Sequence, residues 1–281
     1  LAIAAGFLPV EQRAALCSAI LMKGPAETWT ALAIASSAGN DAWPMLRAIL
    51  HAHADDLDYL AQAHFDLLTQ LAECVGAAND DAAVSELTSW LGEHKPVTAI
   101  PDIALLSGLG RGLQRAGRPL RDILKQTPPP IPDAGQAAVS RAFASAEAVA
   151  VNAVAAGPLR HAAVHVIAQQ PGPDTGRKLL DLLSAGSEAV QRAAVESLRQ
   201  VHDEGTINAI FDRWNALPAG IRRTLIGGLV SSAPTAKSLL DAVETGRVPV
   251  QEFDQSSRDL LLAYPIEEVK QRAIALLVKE V

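Results

Sequence analysis

The sequence predicts an all-α fold, an α-α superhelix of stacked helix pairs, and three observations carry that expectation. Ala is the commonest residue and Leu the next, and both lead the helix-propensity scale. Aromatic residues make up only 4% of the chain, although strands favour aromatic and β-branched side chains. An apolar, helix-spaced pattern also recurs in the C-terminal half with a fixed period, as repeat architectures require.

Residues 10–22, 25–38, 41–53, 57–76, 80–91, 100–116 and 119–125 have the spacing of successive helices. The segment Thr127-Pro128-Pro129-Pro130-Ile131-Pro132 must then break helix, because proline lacks the N–H and clashes with the preceding turn. We read it as a loop within one helical-repeat array over 1–281, the alternative being a division into 1–126 and 133–281.

Beyond the loop the recurrence is explicit. Leu159-Arg160-His161-Ala162-Ala163-Val164, Val190-Gln191-Arg192-Ala193-Ala194-Val195 and Ile221-Arg222-Arg223-Thr224-Leu225-Ile226 start 31 residues apart. Ile167, Leu198 and Leu229 complete the apolar faces, and Val269, Ala273, Ile274 and Leu277 supply a fourth copy after an insertion. Leu179, Leu180 and Leu183 correspond to Ile210, Phe211 and Trp214, and Leu239, Leu240 and Val243 follow suit. Each unit is therefore a helix pair that must stack on its neighbours to bury both faces. Gly157-Pro158, Gly186-Ser187, Pro218-Ala219-Gly220 and Gly246 punctuate the pairs.

Composition removes several function classes. A hydrophobic content of 49% and a net charge of −7 over 281 residues exclude disorder. The richest apolar stretch, 142–156, is interrupted by Glu147 and Asn152, so no membrane span is expected. The acidic balance lacks the basic stripe of a nucleic-acid binder. Cys17 and Cys74 show no metal or redox spacing and read as small core residues. Trp29, Trp43, Trp90 and Trp214 are scattered and also read as core. No signal or transit sequence is visible, and a start at Leu1 suggests a piece of something longer.

Helical geometry bears on each cluster of candidate ligating groups. His51, His53, Asp55, Asp56 and Asp58, with His64 following, hold metal-binding groups, but residues two apart on a helix diverge. Asp55 or Asp56 instead suits the start of the helix near Leu57. His161 and His165 have i, i+4 spacing, yet His161 aligns with Arg192 and Arg223, and His165 with Glu196 and Gly227, so both are expected on an exposed face. His202-Asp203 resembles the paired ligand of helical HD-type phosphohydrolases but sits where a helix should end. Gly108, Gly110 and Gly112 lie in a leucine-periodic helix, and close helix approach is their expected role. No catalytic, cofactor-binding or metal residue is assigned, and no cofactor is expected.

The repeats resemble HEAT and armadillo units, with Arg160, Arg192 and Arg223 at the basic position near the start of the second helix. The stretch Leu239-Leu240-Asp241-Ala242-Val243-Glu244-Thr245-Gly246-Arg247-Val248-Pro249, then Leu260-Leu261-Leu262 and 265–277, is more specific. It resembles the close of the helical-repeat region in large planctomycete-type "membrane-bound dehydrogenase" proteins, and Leu105-Leu106-Ser107-Gly108-Leu109-Gly110-Arg111-Gly112-Leu113 resembles another part of that region. In that family a β-propeller precedes the repeats and a c-type haem domain with C-x-x-C-H follows. The resemblance implies a middle piece only, without its own haem or catalytic residues, and Tyr264 stands where the family usually has His. The function expected is a non-catalytic helical-repeat scaffold or protein-interaction module of a larger redox protein, periplasmic or exported if the resemblance holds. Its partner would be another protein or a neighbouring domain of the same chain, such as the downstream haem domain. A helical metal-dependent hydrolase using the His/Asp clusters is the alternative.

Overall fold

The computed structural model describes residues 7–21, 28–172, 174–185, 187–200 and 204–278, and among them every regular element is helical. The chain divides into two compact units, Leu1–Pro171 and Gly172–Val281. The Pro-rich segment 127–132 lies inside the first, with Ile131 buried beneath it.

The first unit contains α1 (Val10–Leu21), α2 (Thr28–Ala38), α3 (Ala42–Ala52), α4 (Leu57–Ala63), α5 (Phe65–Ala78), α6 (Asp81–Glu93), α7 (Ile100–Arg115), α8 (Leu120–Leu124), α9 (Asp133–Val151) and α10 (Gly157–Ala168). These follow the apolar period closely, with one departure. The helix expected over 57–76 is broken at His64, which has φ −130° and ψ 37°. Its ring turns inward, and the Nε2–H donates to the Leu21 carbonyl at 3.2 Å, capping the end of α1. Burial, more than that hydrogen bond, sets its titration and holds the imidazole below its usual pKa. Asp56 occupies the N-cap position of α4, as expected, but its side chain makes no cap bond and lies 3.4 Å from His53 Nδ1.

The packing of α5 against α7 is the tightest feature of this unit, and glycine makes it feasible. A Cβ placed on Gly108 would fall 2.1 Å from the Thr69 carbonyl oxygen, and one on Gly112 would fall 2.1 Å from that of Glu73. Gly76 meets the Leu109 carbonyl oxygen in the same way at 2.3 Å. The Gly-rich stretch is thus a helix-contact surface, as its leucine period implies. Around it, α7 is buried on nearly all sides between α5, α9 and α10.

Arginines tie helix ends together. Arg13 donates to the Ser37 and Ala38 carbonyls at the end of α2, at 2.8 and 3.3 Å, and Arg160 Nε donates to the Ala150 carbonyl near the end of α9 at 3.1 Å. Each supplies a charged donor to carbonyls that a helix leaves unpaired. Asp102 in α7, only 1% exposed, accepts from Arg141 of α9 at 2.7 and 3.0 Å.

The second unit contains α11 (Asp174–Ala185), α12 (Glu188–Leu198), α13 (Glu204–Asp212), α14 (Ala219–Leu229), α15 (Ala233–Glu244), α16 (Gln255–Leu262) and α17 (Glu267–Leu277). The recurring blocks all fall on helices, and α11 packs on both α12 and α13 while α12 reaches α14. Asp254 caps α16 by accepting from Ser257 N at 2.7 Å, and Gly246 follows α15 with φ 73°. In the third copy Arg222, rather than Arg223, makes the structural contacts: the Leu217 carbonyl at 2.9 Å and Glu252 at 2.7 Å.

Candidate functional site

Each unit carries concave surfaces, the most spacious among the described residues being one of about 700 Å³ between Val230 and Pro265 in the second unit. In the first unit the start of α5, the start of α10 and the 154–156 turn enclose an outer cleft of about 540 Å³. Ala31, Ala61, Ala63, Val154 and Leu159 make much of it apolar. It shares Phe65, Asp66 and Pro158 with an inner recess of about 190 Å³, lined further by Gln70, Ser107, Arg111 and His161.

The recess is polar in a particular way. Ser107 is 1% exposed and its hydroxyl has no hydrogen-bond partner. Arg111 Nε and Gln70 Oε1 are likewise buried and unpartnered. Arg111 Nη2 pairs with Glu73 at 2.7 Å, and Arg115 pairs with the other oxygen of the same carboxylate. One acid between two guanidinium groups leaves a local positive charge, while Asp66, common to both linings, is exposed. Buried groups of this kind normally find partners, because leaving one unpaired costs about 1–3 kcal/mol.

His161 and His165 do come together, with their Nε2 atoms 3.1 Å apart. The exposure expected from the repeat alignment is corrected for His165, which is buried at 5%, while His161 is half-buried. The reason is that α10 is covered by α7 and α9 together, so the surface position of one copy becomes an interior position here. Burial first, and then His161 and Arg111, push the His165 pKa down to about 3, so its ring is neutral near pH 7.

The other candidates disperse. His51 faces the rings of Trp90 and His94 at 6.3 Å, whereas His53 is buried against Asp56, so the two do not converge. Asp58 serves the backbone, accepting from Val97 N and Thr98 N at 2.8 Å. His202 and Asp203 lie outside the described residues. Trp43, Trp90 and Trp214 are core, but Trp29 is 79% exposed, and Cys17 is buried while Cys74 is half-buried. Spacing did not reveal Gln70, Ser107 and Arg111 as one group. The available signal was Ser107 and Arg111 at i, i+4 on a helix otherwise lined by Gly and Leu.

In the second unit, α12 and α14 border a groove of about 440 Å³ lined by Glu188, Gln191, Arg192, Val195, Ile221 and Thr224 among others. These residues lie in or beside the sequence blocks that begin at Val190 and Ile221. Charges of both signs alternate along it, with Arg192 bonded to Glu188 at 3.0 Å. Compared with protein-family models, curated proteins and solved structures, the chain matches none of them.

Proposed function

We propose that the chain is a non-catalytic helical-repeat module that holds a protein partner or a neighbouring domain. The observation that supports this reading is the groove between α12 and α14, lined by residues of two of the sequence blocks that recur 31 residues apart. Its mixed charges and small apolar floor suit a polar peptide surface. The Ser107 hydroxyl of the first unit is bonded to no imidazole, which favours binding over nucleophilic chemistry at that recess. The His51 and His53 rings face different neighbours, which disfavours the hydrolase alternative.

On the resemblance of 239–277, the setting we propose is an exported redox protein whose haem domain is the neighbour. Carbodiimide cross-linking of the longest native form tests the surface. Glu188 or Glu196 should join to lysines of a partner or adjoining domain, and Ile221→Asp with Arg192→Glu should abolish the products. Cross-links confined to other faces would refute the assignment. A reduced-minus-oxidised visible spectrum of the same material tests the setting, since a c-type haem signal is required.

A further inference from the structure

We propose that His161 and His165 form a binding site for a divalent transition-metal ion of the zinc class. Neither residue belongs to the lining of the α12–α14 groove, so the site is independent of the partner reading. The two residues stand four apart on α10, and their side chains therefore leave one face of the helix a turn apart. Their rings meet at the outer nitrogens. Nε2 lies 3.1 Å from Nε2, with the ring planes at 66° and the centroids 4.7 Å apart. Zinc–imidazole bonds of about 2.0–2.1 Å drawn to both atoms close an N–metal–N angle of about 95–100°, between the octahedral and tetrahedral values. The two nitrogens are thus spaced as ligands of a single ion.

An N–H···N hydrogen bond accounts for the same distance but not for the choice of residues. The other recurring blocks carry Arg192 with Glu196 and Arg223 with Gly227 at these positions, so the repeat itself requires no imidazole at either. His165 is buried where α7 and α9 cover α10, which fixes one ligand in place. Its pKa of about 3 keeps the ring neutral near pH 7, the form that ligates a metal. His161 is half-buried and lines the recess of about 190 Å³, which gives an ion its approach and leaves room for the waters that complete its shell. Arg111 and Arg115 share Glu73, and their surplus charge makes this a weaker, exchangeable site. Imidazole nitrogen selects Zn²⁺, Cu²⁺ or Ni²⁺ over Mg²⁺ and Ca²⁺, which take oxygen ligands.

Titration of the full chain with zinc chloride, followed by calorimetry and by the ¹⁵N signals of the histidine rings, tests the proposal. The first equivalent of zinc should move the Nε2 signals of His161 and His165 ahead of those of the other histidines. Magnesium chloride at the same concentration should move neither. His161→Gln, a change at a half-buried position, should lower zinc affinity by about a hundredfold or more, since altering a group behind a ligand already costs about 10–100-fold. His51→Gln, at an exposed position, should leave the affinity as in the parent. Zinc should also raise the melting temperature of the parent and not that of His161→Gln, because only the folded parent holds the ion. Zinc that leaves the His161 and His165 signals unmoved overturns the proposal. So does His161→Gln binding zinc as tightly as the parent, or magnesium displacing zinc from the pair. None of these results bears on the α12–α14 groove, whose cross-links stand or fall separately.

Discussion

Replacing Gly108 by Ala puts the smallest side chain where α5 and α7 touch. The added Cβ would lie 2.1 Å from the Thr69 carbonyl oxygen, where ordinary contact begins at 3.4 Å. The obstacle is backbone, so no side-chain rotation relieves it, and the two helices must part by about 1 Å. Overpacking of this kind costs up to about 3 kcal/mol, and exchanging Gly for Ala within a helix returns about 1 kcal/mol. A net loss of about 2 kcal/mol is expected, or about 4–8 °C in the melting temperature of a unit this size. Gly110, two residues along the same helix, supplies the control. Its Cβ would meet the Gln169 side chain at 2.9 Å, and Gln169 Oε1 has no hydrogen bond to lose by moving. Gly110→Ala should therefore cost less than Gly108→Ala, because a side chain rather than backbone has to give way. Circular-dichroism melts, with amide exchange read separately on α5 and α7, distinguish the two. Equal melting temperatures for Gly108→Ala and Gly110→Ala would refute the close-contact argument.

Asp102 and Arg141 should respond unequally to deletion. Arg141→Met leaves a 1% exposed carboxylate unpaired and should cost about 3 kcal/mol, whereas Asp102→Asn leaves a guanidinium that is 31% exposed and should cost about 1 kcal/mol in denaturant titrations. Burial already raises the Asp102 pKa, so the Arg141→Met deficit should shrink as pH falls and the carboxyl takes up a proton. His165 has the opposite pH dependence. Its folded pKa of about 3 lies below the unfolded value, so stability is full above about pH 6.5 and is lost as pH falls toward 3. Between pH 7 and pH 5 this amounts to about 2 kcal/mol, and His165→Gln should flatten urea-derived stability over that range by the same amount. Trp214, 1% exposed, should cost about 3–5 kcal/mol on replacement by Ala, while Trp29→Ser should stay within about 0.5 kcal/mol by the same melts.

The helices were legible because their apolar periods are long, and the Gly108–Gly112 contact surface was legible because glycines shared a helix with regularly spaced leucines. The break at His64 was not, since the apolar period runs through it and the partner that turns its ring inward is the carbonyl of Leu21, far away in sequence. His165 went astray for a related reason. Alignment of the recurring blocks equates residue positions but not the neighbours that cover them, and α10 is covered by both α7 and α9.

The same limit explains why the recess escaped notice. Spacing says that Ser107 and Arg111 share a face of α7, and only folding sets Gln70 and His161 opposite them. Helix packing alone gives no reason for a hydroxyl at position 107. Alanine there would keep the helix and remove an unpartnered buried group that costs about 1–3 kcal/mol. The glycines beside it already show that this face carries small residues where contact demands them. Serine is small enough for that face, and because its hydroxyl is buried with no partner to lose, Ser107→Ala should leave the melting temperature unchanged or raise it.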